Sequence, residues 1–471
     1  MLRASTPLSR RTLLHAGGLS AVGLSLPQLF AARAEVKAAA ATQTAAPVGS
    51  AKACILLYML GGPPQQETFD MKPEAPGSAR SLFPSIATNV PGIEICGLLP
   101  DLARQADRFA IVRSVFHRGN ALFHGAGVHY NLTGWPNFPR EGEPFLDRRD
   151  YPAIAAVLNQ LQGTRNGLPA SVQLPMWITQ DGPGREWAGQ HAGFLGPKYD
   201  PLIMDYGYLQ LNMDFNKTPG QGEASLPGML PAGFKLRDDL RGGRLAKRLE
   251  LQQVLGRSPI GAGTSLVHDW TRYQTQAVDV LSATSTWKAF AIDDEPAPLR
   301  ARYGDDRLGR SCLVARRLVE AGVTLVTVIF GGWDTHSHHL EHTRDLLLPP
   351  LNRAFAALLE DLADRGLLDT TLVAWTGEFG RTPVINGNSP PGRDHWGSVY
   401  STVLAGGGVR GGQVHGKSDK LAAEPKDKPV PVADFVATIY HALGYDADTQ
   451  VVDPFHRPHH ILAGRPLLEL F

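Results

Sequence analysis

The sequence has little cysteine and no excess of charge of either sign. Its three cysteines, Cys54, Cys96 and Cys312, are far apart and odd in number. This pattern excludes a disulfide framework and Cys-x-x-Cys metal spacing, and we interpret all three as buried small side chains. Lysine and arginine total 46, against 45 aspartates and glutamates. That balance argues against binding to nucleic acid or to an anionic membrane surface.

Cofactor-binding motifs of redox proteins are also missing. We find no convincing glycine-rich dinucleotide loop and no ligand set for haem or an iron–sulfur cluster, which disfavours a redox function. No segment after the N-terminal 34 residues has the pattern of a transmembrane helix. By contrast, 43% of the 471 residues are hydrophobic, enough for a large core.

The N-terminus has the features of a secretory signal. Arg10 and Arg11 precede a short apolar stretch that ends at the small-residue cleavage site Ala32-Arg33-Ala34. These features predict a signal peptide over residues 1–34, and the paired arginines favour the twin-arginine export machinery. The alternative, a membrane anchor, needs a longer apolar segment. We therefore expect a periplasmic or extracytoplasmic protein with a flexible linker at 35–51.

Apolar runs alternate with helical segments through the rest of the chain. The predicted strands lie in the runs 54–62, 109–115, 322–332, 370–380 and 400–408. This alternation predicts an α/β fold with a mostly parallel central sheet flanked by helices, as a single domain over 52–471. We interpret the Pro/Gly-rich stretch 135–300 as a long insertion that caps the substrate side.

Histidines, carboxylates and arginines follow these strands in three segments. They are Asp334, His336 and His338 in GGWDTHSHH, Glu378 and Arg381 in TGEFGR, and Arg393, Asp394 and His395 in GRDHW. The carboxyl ends of parallel strands open on one edge of a sheet, which is where α/β proteins bind ligands. The three segments are therefore predicted to converge there.

Oxygen and nitrogen donors of this kind suit a divalent zinc, manganese or iron ion. The predicted metal-binding residues are Asp334, His336, His338, Glu378, Asp394 and His395, with Glu378 and Asp394 as ligands or as groups that orient them. Arg381 and Arg393 would hold a tetrahedral anion. His124, after the strand 109–115, is the candidate general acid or base. A solvated histidine-rich loop is the alternative.

Long motifs of the chain resemble a known family. LGGPPQQETFDMKPEAP, GGWDTH, TLVAWTGEFGRTPVINGN and GRDHWGSVYSTVLAGGGVRGGQVHGKSD are similar to the bacterial family numbered 1501 among domains of unknown function. The resemblance covers nearly all of the chain after the predicted signal. It implies a twin-arginine signal and a fold similar to that of sulfatases and alkaline phosphatases.

The resemblance to that superfamily also implies ligands for one metal ion. Asp334, with either His336 or His338, matches its Asp and His, and His395 matches a later His. The second metal of the superfamily would need an Asp-His pair where this chain has Glu378-Phe379. The superfamily also has an acidic residue after its first strand, where this chain has Gly61-Gly62. The site for the second metal therefore looks degraded.

The resemblance provides no nucleophile. The corresponding segment, HGAGVHYNLTG, begins at His124 and lacks the cysteine that sulfatases convert to formylglycine. Two functions remain open: a metal-dependent hydrolase acting on an anionic phosphate or sulfate ester, or a non-catalytic protein that binds an anionic glycan or a protein partner. We predict the metal-dependent hydrolase and keep the binding protein as the alternative.

Overall fold

The computed structural model describes residues 49, 51–117, 122–136, 144–165, 167–179, 184–204, 247 and 288–471. The predicted signal peptide, nearly all of the predicted linker and much of the predicted insertion at 135–300 lie outside the described residues. Those three assignments stay predictions.

A nine-stranded sheet lies at the centre of the described domain. Its strands are β1 (Ala53–Met59), β2 (Phe109–Phe116), β3 (Ser171–Leu174), β4 (Leu202–Ile203), β5 (Leu325–Phe330), β6 (Thr371–Thr376), β7 (Tyr400–Ala405), β8 (Gln413–His415) and β9 (Val430–Pro431). Their order is β8-β2-β7-β6-β1-β5-β3-β4, and β9 also pairs with β2. Every pair is parallel except the two that β7 forms with β6 and β2. The predicted α/β fold with a mostly parallel sheet is therefore confirmed.

The central strands are continuous apolar runs because both faces of the sheet are covered. All seven residues of β1 are buried. Since successive side chains point to opposite faces, Ile55 and Leu57 join one hydrophobic core, whereas Cys54 and Leu56 join the other. The three cysteines are buried and unpaired, as expected from their spacing.

Eight α-helices surround the sheet within the described residues. They are α1 (Pro100–Ala103), α2 (His124–Thr133), α3 (Ile154–Gln162), α4 (Ala297–Tyr303), α5 (Arg307–Glu320), α6 (His339–His342), α7 (Leu348–Asp364) and α8 (Val432–Ala442). A π-helical turn, Thr343–Leu347, joins α6 to α7. The prolines at positions 349 and 350 lie in the first turn of α7, where a missing N–H costs no hydrogen bond. None of the described helices is both long and apolar enough to cross a membrane.

In the described part of the chain, five two-stranded ribbons lie outside the central sheet. They are Ser85–Ala87 with Glu94–Cys96, Thr164–Arg165 with Leu168–Pro169, Gly380–Arg381 with His395–Trp396, Lys417–Ser418 with Pro425–Asp427, and Gln450–Val452 with Pro458–His460. The third ribbon matters for the site because it pairs Arg381 with His395. It thereby joins two of the three polar segments singled out in the sequence.

Candidate metal centre

The loops after the parallel strands meet at one edge of the sheet. Strands β1, β5 and β6 are adjacent and parallel, so the loops that follow them leave the sheet on the same side. The loop after β1 carries Gly61, the loop after β5 carries Asp334, and the loop after β6 carries Glu378. The backbone N–H of Gly61 donates to Glu378 Oε1 at 2.7 Å. The predicted convergence is thus present in the structure.

Three potential metal-binding atoms form a nearly equilateral triangle. Asp334 Oδ1 lies 3.1 Å from His336 Nε2 and 3.0 Å from His395 Nε2, and the two imidazole nitrogens are 3.0 Å apart. Ligands of a tetrahedral ion with bonds of about 2.0–2.1 Å are separated by about 3.3 Å. The triangle therefore has nearly the dimensions of three metal ligands.

The Nδ1 atoms of His336 and His395 contact oxygens outside the triangle. His336 Nδ1 lies 2.6 Å from Asp394 Oδ1, and His395 Nδ1 lies 2.6 Å from the carbonyl oxygen of Leu122. Each Nδ1–H can donate to an oxygen, which leaves the Nε2 lone pair directed at the triangle. Metal-binding histidines are usually oriented in this way.

His124 adds a second set that shares two members with the triangle. The nitrogens and oxygen offered by His124, Asp334 and His395 all lie within 4.8 Å of one another, so this group too could hold a metal ion. His124 Nε2 faces the opposite oxygen of the carboxylate, at 3.3 Å from Asp334 Oδ2. Its Nδ1 lies 2.8 Å from Glu378 Oε1. In addition, the ring stacks on Trp187 with centroids 4.9 Å apart.

The charges around Asp334 keep it ionised. Burial alone would raise the pKa of this carboxyl, but Arg381 and the three histidines hold it well below its usual range. For His124 the effect of burial is the opposite: burial alone would lower the pKa of its imidazole. Its hydrogen bonds to Asp334 and Glu378 outweigh burial and raise that pKa to about 9. The pKa of His395 is lowered, mainly by burial.

Glu378 has one oxygen that none of the described residues uses. The residue is fully buried, and Oε1 contacts Gly61 and His124. Among the described residues, Oε2 has no hydrogen-bond partner. A buried carboxylate oxygen without a partner is costly, and a bound cation or water would satisfy it. The donor set and this orphan oxygen both fit a cation.

Arg381 and Arg393, predicted to bind an anion, instead bind oxygens of the chain. The fully buried Arg381 donates to the carbonyl oxygens of Gly61, Gly62 and Arg393, and its Nη2 lies 2.5 Å from Asp334 Oδ1. The equally buried Arg393 pairs with Glu67 at 2.8 Å. The sequence identifies the two arginines, but it does not indicate which oxygens their guanidinium groups bind in the fold.

His338, one of the predicted ligands, lies apart from the triangle. It precedes α6 with a positive φ of 50°, and its ring stacks on His342 with centroids 5.6 Å apart. Of the two histidines considered as partners of Asp334, it is His336 that contacts the carboxylate. Asp394 orients His336 and is 49% exposed as a side chain.

Trp187, Asn131 and Tyr400 were not singled out as site residues in the sequence analysis. Trp187 packs flat against His124, and Asn131 donates to the carbonyl oxygen of Glu378 at 3.0 Å. Tyr400 in turn donates to Asn131 Oδ1 at 3.0 Å. A lone tryptophan or asparagine carries no local signal of such contacts, which depend on residues far away in the chain.

The fold and the cluster define an α/β protein with a histidine and carboxylate centre at the edge of its sheet. Comparison of the sequence with family models then identifies its family. The chain belongs to the family described as "Protein of unknown function (DUF1501)", whose model matches residues 51–471. No curated protein matches the sequence.

Several solved structures are similar to this chain. One is a protein in the alkaline phosphatase superfamily from Vibrio parahaemolyticus, with 11% identity, a TM-score of 0.37, and coverage of 86% of this chain and 69% of that chain. A sulfatase from Pseudoalteromonas sp. has 11% identity, a TM-score of 0.34, and coverage of 84% and 70%. Alkaline phosphatase from the Antarctic bacterium TAB5 has 12% identity, a TM-score of 0.34, and coverage of 78% and 95%.

Proposed function

We propose that this chain is an exported, metal-dependent hydrolase-like protein that acts on a phosphate or sulfate ester. The triangle of Asp334 Oδ1, His336 Nε2 and His395 Nε2, with sides of 3.0–3.1 Å, carries the proposal. Two imidazole nitrogens and one carboxylate oxygen that face each other at this distance can share a cation once the nitrogens are unprotonated. Zinc, manganese and iron all accept such ligands.

The residues of the site divide into three roles. Asp334, His336 and His395 would hold the ion, which would supply Lewis-acid polarisation of an ester oxygen. Glu378 Oε2, which has no hydrogen-bond partner among the described residues, is a further candidate ligand. We assign His124 to proton transfer at Nε2 because that atom faces Asp334 Oδ2, outside the triangle. If His124 is instead a ligand, in the set with Asp334 and His395, its removal will weaken metal binding as strongly as the loss of His395.

The surroundings of Asp334 support a single ion. The guanidinium of Arg381 already contacts Asp334 Oδ1 and the carbonyl oxygens of Gly61 and Gly62. It places a fixed positive charge beside the proposed metal. A second divalent ion on this side would meet that charge at close range, where repulsion is strong in a buried site.

A non-catalytic binding protein is the second candidate function. The observation that favours it is that Arg381 and both terminal nitrogens of Arg393 donate to oxygens of the chain. Neither guanidinium presents an open fork to a tetrahedral anion, as an ester hydrolase would be expected to do. A protein of this kind would hold an anionic glycan or a protein partner without turnover.

Metal content measured by elemental mass spectrometry tests the proposal. We expect about one ion per chain in the purified wild type and none in Asp334→Ala/His395→Ala. The control His459→Ala, which removes a histidine paired with Asp453 on the C-terminal ribbon, should keep its metal. Absence of metal from supplemented wild type overturns the proposal. Bound metal without turnover of phosphate or sulfate esters favours the binding protein.

A further inference from the structure

A buried hydrogen-bond network lies behind the loop that carries the proposed ligands. Thr335 sits between Asp334 and His336, yet it is fully buried. Its Oγ1 lies 2.5 Å from His339 Nδ1. On the other side of the same ring, His339 Nε2 lies 3.4 Å from Glu67 Oε2. The mechanism proposed above uses none of Thr335, His339 and Glu67.

The chemistry of the three groups sets the direction of their hydrogen bonds. An ionised carboxylate only accepts, so Glu67 fixes the ring proton of His339 on Nε2. His339 Nδ1 is then an acceptor, and the hydroxyl of Thr335 must donate to it. Glu67 itself is held by Arg393, whose Nη2 is 2.8 Å from Oε1, and by the N–H of Leu82 at 3.3 Å.

The network connects three segments that converge at the metal centre. Glu67 follows β1, Thr335 and His339 follow β5, and Arg393 precedes the proposed ligand His395. Arg393 also donates its backbone N–H to the carbonyl oxygen of Thr335 at 3.0 Å. The position of Thr335 therefore controls the backbone on which both neighbouring ligands sit.

We propose that Thr335, His339 and Glu67 are positioning residues that hold Asp334 and His336 in metal-binding geometry. This inference rests on the proposed metal site. Groups that orient metal ligands typically change metal affinity by 10- to 100-fold when they are removed. In this arrangement Arg393 forms an ion pair with Glu67 and neutralises its charge. It does not have the anion-binding role that the sequence predicted.

Thr335→Val tests the network because valine keeps the shape of threonine and removes its hydroxyl. We expect its dissociation constant for Zn²⁺, measured by calorimetric titration, to rise by about 10-fold, and Thr335→Ser to restore tight binding. Thr343→Val is the matched control, since Thr343 is buried and its Oγ1 has no hydrogen-bond partner among the described residues. Wild-type affinity in Thr335→Val would overturn the proposal.

A second measurement separates this proposal from the metal site itself. In metal-free protein, we expect hydrogen exchange at the amides of residues 335 and 336 to be faster in Thr335→Val than in Thr343→Val. Glu67→Gln, which keeps the shape and removes the charge, should act in the same direction. If wild type binds no Zn²⁺, the proposed function fails, and exchange still decides whether the network holds the loop. Equal exchange in all variants overturns the network.

Discussion

The carboxylate of Asp394 holds the His336 ring through Nδ1, so that Nε2 faces Asp334 and His395. Asp394 Oδ1 lies 2.6 Å from His336 Nδ1, and Asn386 Nδ2 donates to the same oxygen at 3.0 Å. Nδ1–H therefore donates to Asp394, and a metal ion bound beside this ring would take Nε2. His336 Nε2 lies 3.0 Å from His395 Nε2.

Removal of the orienting carboxylate should weaken metal binding without abolishing it. We predict that Asp394→Ala raises the dissociation constant for Zn²⁺ by about 10-fold, because His336 keeps its place but loses its fixed tautomer. Asp345→Ala removes a carboxylate of similar exposure, 42% against 49%, and should leave the constant unchanged. Equal constants in the two variants would contradict the orienting role.

The two histidines of the loop after β5 should differ sharply. His336 contacts Asp334, whereas His338 stacks on His342. We predict loss of metal from His336→Ala, and wild-type metal content in His338→Ala, by elemental analysis of both variants purified in parallel. Retention of metal by His336→Ala would show that the set with His124 is the ligand set.

A single methyl group at Gly392 should disrupt the centre. A Cβ there would lie 2.1 Å from His336 C and 2.4 Å from the carbonyl oxygen of Thr335, both backbone atoms. We predict that Gly392→Ala lowers the free energy of unfolding by about 1–3 kcal/mol, the usual range for overpacking, and abolishes metal binding. Gly387→Ala, whose Cβ meets nothing within 4 Å, is the control. Normal metal binding by Gly392→Ala would contradict the packing argument.

His191 should make stability depend on pH. Burial lowers the pKa of its ring from 6.5 to about 4, and neither nitrogen has a hydrogen-bond partner among the described residues. Between these values the unfolded chain binds the proton and the folded chain does not, so stability falls as the pH drops through this window. Between pH 7 and pH 5, His191 lowers the free energy of unfolding by about 2 kcal/mol.

Denaturant unfolding at the two pH values measures this contribution. His191→Phe keeps an aromatic ring against Trp177, with which His191 stacks at 5.5 Å, but removes the titrating group. The variant should lose about 2 kcal/mol less stability than wild type over the same interval. The same pH dependence in both proteins would rule out His191 as the source.

The proposed export depends on the arginine pair at positions 10 and 11. We predict that Arg10→Lys/Arg11→Lys leaves the full-length chain in the cytoplasm, whereas Arg33→Lys, the same conservative change outside the pair, is still exported and cleaved. Cell fractionation with intact-mass measurement distinguishes the two. Periplasmic, cleaved protein from the double variant would exclude the twin-arginine route.

The sequence predicted the parts of the fold that follow from hydrophobic pattern. Strands β1, β5 and β6 are buried apolar runs, and the rule that parallel strands end on one edge brought Asp334 near Glu378. The burial of Arg381 and Arg393 could not be predicted, since their partners lie up to 326 positions away in the chain. The stacking of Trp187 on His124 likewise depends on tertiary packing.

The triangle of Asp334, His336 and His395 can form only after most of the chain has been synthesised. β1 lies between β5 and β6, and His395 reaches Asp334 only when the ribbon with Arg381 has closed. No nascent fragment that stops before His395 can assemble the triangle, so the proposed metal capture would follow synthesis of most of the chain. If the protein is exported folded by the proposed twin-arginine route, the metal supply of the cytoplasm would determine which ion it carries out.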